Sequence, residues 1–139
     1  VEGMLNEERK TLAAVQREKE RIAVGIDIIS QALRRGGRIV FVGAGTSGRL
    51  GIVESAEMPP TFGTDQALVQ AVMAGGRPAT FRAKEGVEDN YEEGARSIAR
   101  LRLGKKDVVI GVSASGMTPF VRGGLRGCRR RCAIVAVTS

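Results

Sequence analysis

Arg38-Ile39-Val40-Phe41-Val42-Gly43-Ala44-Gly45-Thr46-Ser47-Gly48-Arg49 is the stretch whose reading decides the fold. Its apolar first half is short, β-branched and without polar alternation, the pattern of a strand buried on both faces of a parallel sheet. The small-residue second half turns the chain and opens a helix over about 48–57. Three more such runs follow, Val69 to Met73, Val108 to Val112 and Ala133 to Val137, with helical segments at Asn90 to Leu101 and Thr118 to Arg130. Strands alternating with helices imply right-handed crossovers and a doubly wound α/β fold with a parallel, flavodoxin-like sheet.

Upstream of this stretch the period changes. Leu12, Val15, Ile22, Ile26, Ile29 and Leu33 form one apolar stripe, so 1–37 reads as an N-terminal helix stopped by Gly36-Gly37. Glu7 to Arg21 is charge-rich and is expected to project from the core or to pack on a partner. Residues 38–139 form the sheet domain. A strand such as Ala133 to Val137 is normally followed by another crossover, so the domain is expected to be incomplete on its C-terminal side.

The chain has 139 residues, 42% hydrophobic and 27% charged, enough for one domain with a core. No apolar run reaches bilayer length and no signal peptide is evident, so the expected location is cytoplasmic. A net charge of +7 suits an anionic partner. Four Phe, one Tyr and scattered basic residues (Arg129-Arg130-Arg131 apart) argue for a small anion rather than nucleic acid. With no His and two Cys, Cys128 and Cys132, neither a zinc site nor a disulfide framework is expected, and the thiols read as buried or incidental.

Two turns share one chemistry. The first strand runs into Gly43 to Arg49 and the third into Ser113-Ala114-Ser115-Gly116-Met117-Thr118. Both open helices at the carboxyl edge of the sheet, where this fold class binds ligands. Gly45 and Gly116 let a ligand approach the backbone. Thr46, Ser47, Ser113, Ser115 and Thr118 supply hydroxyls for a phosphate or a sugar, although Ser and Thr also cap helices. Gly43-x-Gly45-x-x-Gly48 matches a dinucleotide fingerprint too, but the second strand ends in Met73-Ala74-Gly75-Gly76 without the acid that would hold a ribose. Asp65 precedes that strand.

Two carboxylates stand out. Glu57 lies just before Pro59-Pro60, which are expected to end the helix and leave Glu57 near its negative end, where a neutral acid is favoured. Glu88 lies in Glu85-Gly86-Val87-Glu88-Asp89, beyond the second strand. Taken singly, each is an ordinary solvated acid.

The run Val42 to Gly51, with Glu57-Met58-Pro59-Pro60-Thr61-Phe62-Gly63, Ala74-Gly75-Gly76, Glu85 to Asp89, and Ser113 to Gly116 with Thr118-Pro119, resembles the N-acetylmuramic acid 6-phosphate etherases. These are sugar isomerase (SIS) domain proteins. The resemblance covers nearly the whole chain, with the motifs in family order. It implies a cytoplasmic carbon–oxygen lyase of amino sugar catabolism and peptidoglycan recycling, acting on a sugar phosphate as a homodimer, with no metal or organic cofactor. It implies Glu57 as general acid and Glu88 as the second catalytic residue, the base. Gly45, Thr46, Ser47, Ser113, Ser115, Gly116 and Thr118 would hold the substrate. Met117 departs from the family, standing where many members carry Arg. The related glucokinase regulatory proteins, which sense sugar phosphates without cleaving them, are the non-enzymatic alternative. A dinucleotide-binding domain is the weaker one. Arg122, Arg126 and Arg129 to Arg131 read as a helix face, either solvated or covered by the part of the domain expected on the C-terminal side.

Overall fold

All four apolar runs are strands, and all pair in parallel. The computed structural model describes residues 1–139. In chain order the elements are α1 (Glu2–Arg17), α2 (Lys19–Arg34), β1 (Ile39–Gly43), α3 (Gly45–Phe62), β2 (Val69–Met73) and α4 (Gly76–Phe81). A 3₁₀ turn (Val87–Asp89), α5 (Tyr91–Arg100), β3 (Val108–Val112), α6 (Pro119–Cys128) and β4 (Ala133–Val137) follow. The sheet order is β2-β1-β3-β4. The chain therefore steps outward from β1 to β2 and returns to the other side of β1 for β3. That reversal opens a crevice at the carboxyl edge between β1 and β3, the topological switch point.

Strand side chains alternate between two cores, as a pleated strand requires. Ile39, Val69, Val108 and Ile110 pack with Ala32 of α2 on one face. Val40, Val42 and Val109 pack with Ile98, Phe120, Val121 and Cys128 on the other. Helices α2 and α3 thus cover one face and α5 and α6 the second. The α5–α6 crossing is tight: a Cβ on Gly94 would run into the Phe120 carbonyl, and one on Gly123 into that of Tyr91. No helix is long and apolar enough to cross a membrane.

Asp107 fixes the amino edge of the sheet. Its Oδ1 accepts from the Arg38 backbone N–H at 2.8 Å, and its Oδ2 from the Arg38 guanidinium and the Gly104 N–H, each at 2.9 Å. Its own carbonyl accepts from Ala133 N at 3.1 Å. One buried residue therefore ties together the starts of β1, β3 and β4. Burial pushes the Asp107 carboxyl up, but the bonds from Arg38 and from the Gly104 and Arg38 amides outweigh it and hold it below the usual range.

Three expectations need correction. The predicted N-terminal helix is two helices, broken at Glu18 (φ −94°, ψ 5°) within the charged run Arg17 to Arg21. No apolar contact holds the axis straight there, since α1 buries no residue. Pro59-Pro60 do not end α3, which runs on to Phe62 and closes at Gly63 in the left-handed region (φ 65°), with Gly63 N donating to Pro59 O at 2.9 Å. Each proline lacks the N–H that would bond the carbonyl four residues back, so α3 continues past them without the bonds to Ser55 and Ala56. Glu57 is thus not terminal, and the argument from the helix's negative end loses its premise. Helix α4 and the 3₁₀ turn were not foreseen.

Asp107→Asn is expected to cost about 2 kcal/mol, the scale of hydrogen bonds to a charged group. The Asp107 contribution should be complete above about pH 4, the ordinary carboxylate value, and be lost as pH falls through its depressed folded value. Urea unfolding of wild type and variant from pH 7 down to pH 3 checks both: the two curves should converge only in acid.

Candidate active site

Close contact between glycines puts the start of α3 on the carboxyl edge. A Cβ on Gly43 would sit 2.6 Å from Gly48 N, and one on Gly48 would sit 2.9 Å from Gly43 O and 2.8 Å from Met73 Cγ. One turn on, a Cβ on Gly51 would lie 2.6 Å from Phe41 Cβ. Only residues without side chains let α3 lie this close to β1 and β2.

The helix start so placed is unsatisfied. Its N-cap is Ala44, no side chain caps it, and no acid stands in its first turn. The first intrahelical bond runs from Gly48 N to Ala44 O, leaving the amides of Gly45, Thr46 and Ser47 free for an incoming acceptor. By contrast, α5 is capped by the Asn90 side chain accepting from Glu93 N, with Glu92 and Glu93 in its first turn. The 18-residue α3 directs its positive end at open space, and α5 does not.

That space is a cleft of about 380 Å³. Gly45 and Arg49 of α3, the end of β2, the 83–88 loop and Thr118 line it. Gly75 and Gly76, both left-handed (φ 79° and 65°), swing the chain from β2 into α4 and on to that loop. Glu88 is half-buried and faces the cleft alongside Lys84 and Glu85. Arg49 braces this wall: its Nε donates to Thr80 O at 3.0 Å and its Nη2 to Ala79 O at 2.9 Å, satisfying carbonyls of α4.

The second turn is held by internal bonds. Ser113 is buried, and its Oγ shares a hydrogen with Thr118 Oγ1 at 2.8 Å. Thr118 N-caps α6, yet its hydroxyl makes no capping bond. Ser115 Oγ accepts from Met117 N at 3.2 Å, and Ser139 N and Oγ both donate to Ala114 O at 3.1 Å.

Of the residues singled out from sequence, Gly45, Glu88 and Thr118 line the cleft. Thr46 and Ser47 flank it on the first turn of α3, while Ser113, Ser115 and Gly116 shape the second turn behind Thr118. Glu57 lies elsewhere. It is exposed, twelve residues beyond Gly45 and so about 18 Å along the helix axis. It shares a helix face with Leu50 and Val53, which are 56% and 55% exposed. Met117 is 64% exposed and takes no part in the lining. Asp65 sits at the opposite edge of the sheet, its Oδ1 accepting from Ala67 N at 2.7 Å, so the dinucleotide fingerprint lacks its acid. Sequence reasoning missed Arg49 and Lys84. Arg49 stood inside the quoted glycine run, but nothing in a sequence says that its partners are the carbonyls of a six-residue helix. Arg122, Arg126 and Arg129 to Arg131 are all exposed.

A family model described as the glucokinase regulatory protein N-terminal SIS domain matches residues 10–129. The chain belongs to this SIS domain family. Proteins named N-acetylmuramic acid 6-phosphate etherase resemble it closely. That of Symbiobacterium thermophilum is 52% identical, covering 98% of this chain and 46% of the relative. Those of Clostridium beijerinckii (47%; 91% and 41% covered) and Clostridioides difficile (45%; 97% and 45%) are comparable. The resemblance read from the motifs thus holds along the SIS domain, which spans less than half the length of these relatives. Phosphoheptose isomerase of Neisseria gonorrhoeae shares the fold at a TM-score of 0.69 and 21% identity, covering 94% of this chain and 67% of that one.

Gly48→Ala is expected to destabilise the SIS domain by about 1–3 kcal/mol, the usual range for overpacking a filled contact. Gly3→Ala, a helix position where an added Cβ meets nothing, should not lower the urea midpoint. Equal midpoints for the two variants would show that α3 does not need the close approach.

Proposed function

We propose that the full-length protein cleaves the D-lactyl ether of N-acetylmuramic acid 6-phosphate, giving N-acetylglucosamine 6-phosphate and D-lactate. One observation carries this reading: Glu88 and the uncapped start of α3 meet in a single cleft, in a chain up to 52% identical to proteins of that name. The phosphate is taken by the free amides of the α3 first turn, with the Thr46 and Ser47 hydroxyls beside them and the Lys84 amine across the cleft. Thr118 faces the sugar.

The reaction proceeds from the open-chain sugar, whose C1 aldehyde acidifies the C2 proton. Glu88 as carboxylate removes that proton. The C3–O bond breaks, the lactyl oxygen gains a proton from a general acid, and D-lactate leaves. Water then adds at C3 of the resulting alkene, its hydroxyl joining C3 while a proton returns to C2. Base and acid must be held in opposite protonation states, which separate environments allow.

Glu57 is the general acid in this scheme, and it reaches the cleft of a second copy in a homodimer. Its helix position supports this. An exposed face carrying Leu50, Val53 and Glu57 joins an apolar contact surface to a carboxyl about 18 Å from its own chain's cleft edge. The description of the matching family model favours a second reading, a sugar-phosphate sensor that binds without cleaving.

Assay of D-lactate released by the full-length protein from N-acetylmuramic acid 6-phosphate tests the proposal. Wild type should release it, and Glu88→Gln should lose at least about a hundredfold in kcat, the lower end for a general base. Saturable sugar-phosphate binding without lactate would establish the sensor instead. An equimolar mixture of Glu57→Ala and Glu88→Ala proteins should recover about a quarter of wild-type activity, because half the dimers then hold one intact site of two. No recovery after subunit exchange would mean that Glu57 acts within its own chain or not at all.

A further inference from the structure

The turn from α6 into β4 brings two thiols together, away from the cleft. Arg129 N donates to Arg126 O at 3.1 Å and Arg131 N to Cys128 O at 2.9 Å, while Arg130 takes a left-handed φ of 69°. The chain doubles back so that Cys132 Sγ donates to Cys128 O at 3.8 Å, while Cys128 Sγ donates to Leu125 O at 3.1 Å. Cys128 is buried in the α6 core and Cys132 is half-buried, which leaves the pair a route to solvent. Arg129, Arg130 and Arg131 between them are exposed, and none has an acidic partner.

We propose that Cys128 and Cys132 are a redox-active dithiol that closes to an intrachain disulfide across the Arg129-Arg130-Arg131 turn. The neighbouring Cys132 thiol holds the Cys128 thiol below its ordinary value against the opposing effect of burial. The same pairing, with burial and the Asp107 carboxylate, pushes Cys132 up. One proton therefore leaves the pair early and the other late. The thiolate is the reactive form.

Hydrogen peroxide, small enough to reach a half-buried thiol, is the oxidant. The thiolate attacks one peroxide oxygen, the O–O bond breaks, and the departing hydroxide takes up a proton as water. The second sulfur attacks the resulting sulfenic sulfur and displaces its hydroxyl, which leaves as water with the remaining thiol proton. Two thiols and one peroxide thus give one disulfide and two waters.

Trypsin supplies the test, because it cuts after each arginine between the two cysteines. The full-length protein is treated with hydrogen peroxide, alkylated with iodoacetamide, denatured and digested without reductant. The Cys128 and Cys132 peptides should emerge joined, two hydrogens short of their summed mass, and part on reduction. Cys132→Ser should slow loss of the Cys128 thiol about tenfold or more. Separate alkylated peptides after peroxide, independent overoxidation of either sulfur, or an unchanged Cys128 rate in the variant would each overturn the proposal.

Discussion

The carboxyl edge of this domain is shaped by how near α3 comes to the sheet. Gly43, Gly48 and Gly51 bring no side chain of their own to the contact, so the helix lies against the end of β1 and against Phe41 and Met73. The consequence is electrostatic as much as steric. The helix begins two residues after its strand ends and carries no capping side chain. Its positive end is left unsatisfied. Bulkier residues at these points would move the helix outward and carry the free amides away from Glu88.

The two edges of the sheet are built to opposite rules. At the amino edge Asp107 uses both carboxylate oxygens and its carbonyl to hold three strand starts in register. At the carboxyl edge donors are left unpaired, and the polar residues that do pair serve the walls: Arg49 on α4, and Ser113 with Thr118. A satisfied edge gives stability, and an unsatisfied one gives affinity for an anion. The net charge of +7 reinforces that preference at long range.

The strands were legible because a parallel strand covered on both faces has to be apolar throughout, and three of the four runs have the boundaries expected from sequence. The two glycine-bearing turns were legible for a related reason, since small residues between a buried strand and a helix have few other uses. The course of α3 past Pro59 was not. Proline forbids a helix interior, but here Gly63 is the stop, and the rule was applied four residues too early. The break at Glu18 escaped for want of any breaking residue, because what fails there is tertiary support. Arg49 was hidden for the same kind of reason, its partners being backbone carbonyls thirty and thirty-one residues away. Glu57 shows the remaining limit: its motif was plain, but the sequence does not say that the helix carries it away from this chain's cleft.

The measurement that bears most directly on this account is a crystal structure of the full-length protein with N-acetylglucosamine 6-phosphate bound. The phosphate should rest on the amides of Thr46 and Ser47, with C2 of the sugar within reach of Glu88. A phosphate bound instead on the Arg122 and Arg126 face of α6, with the α3 amides empty, would contradict the claim that the close-packed helix start is the receptor.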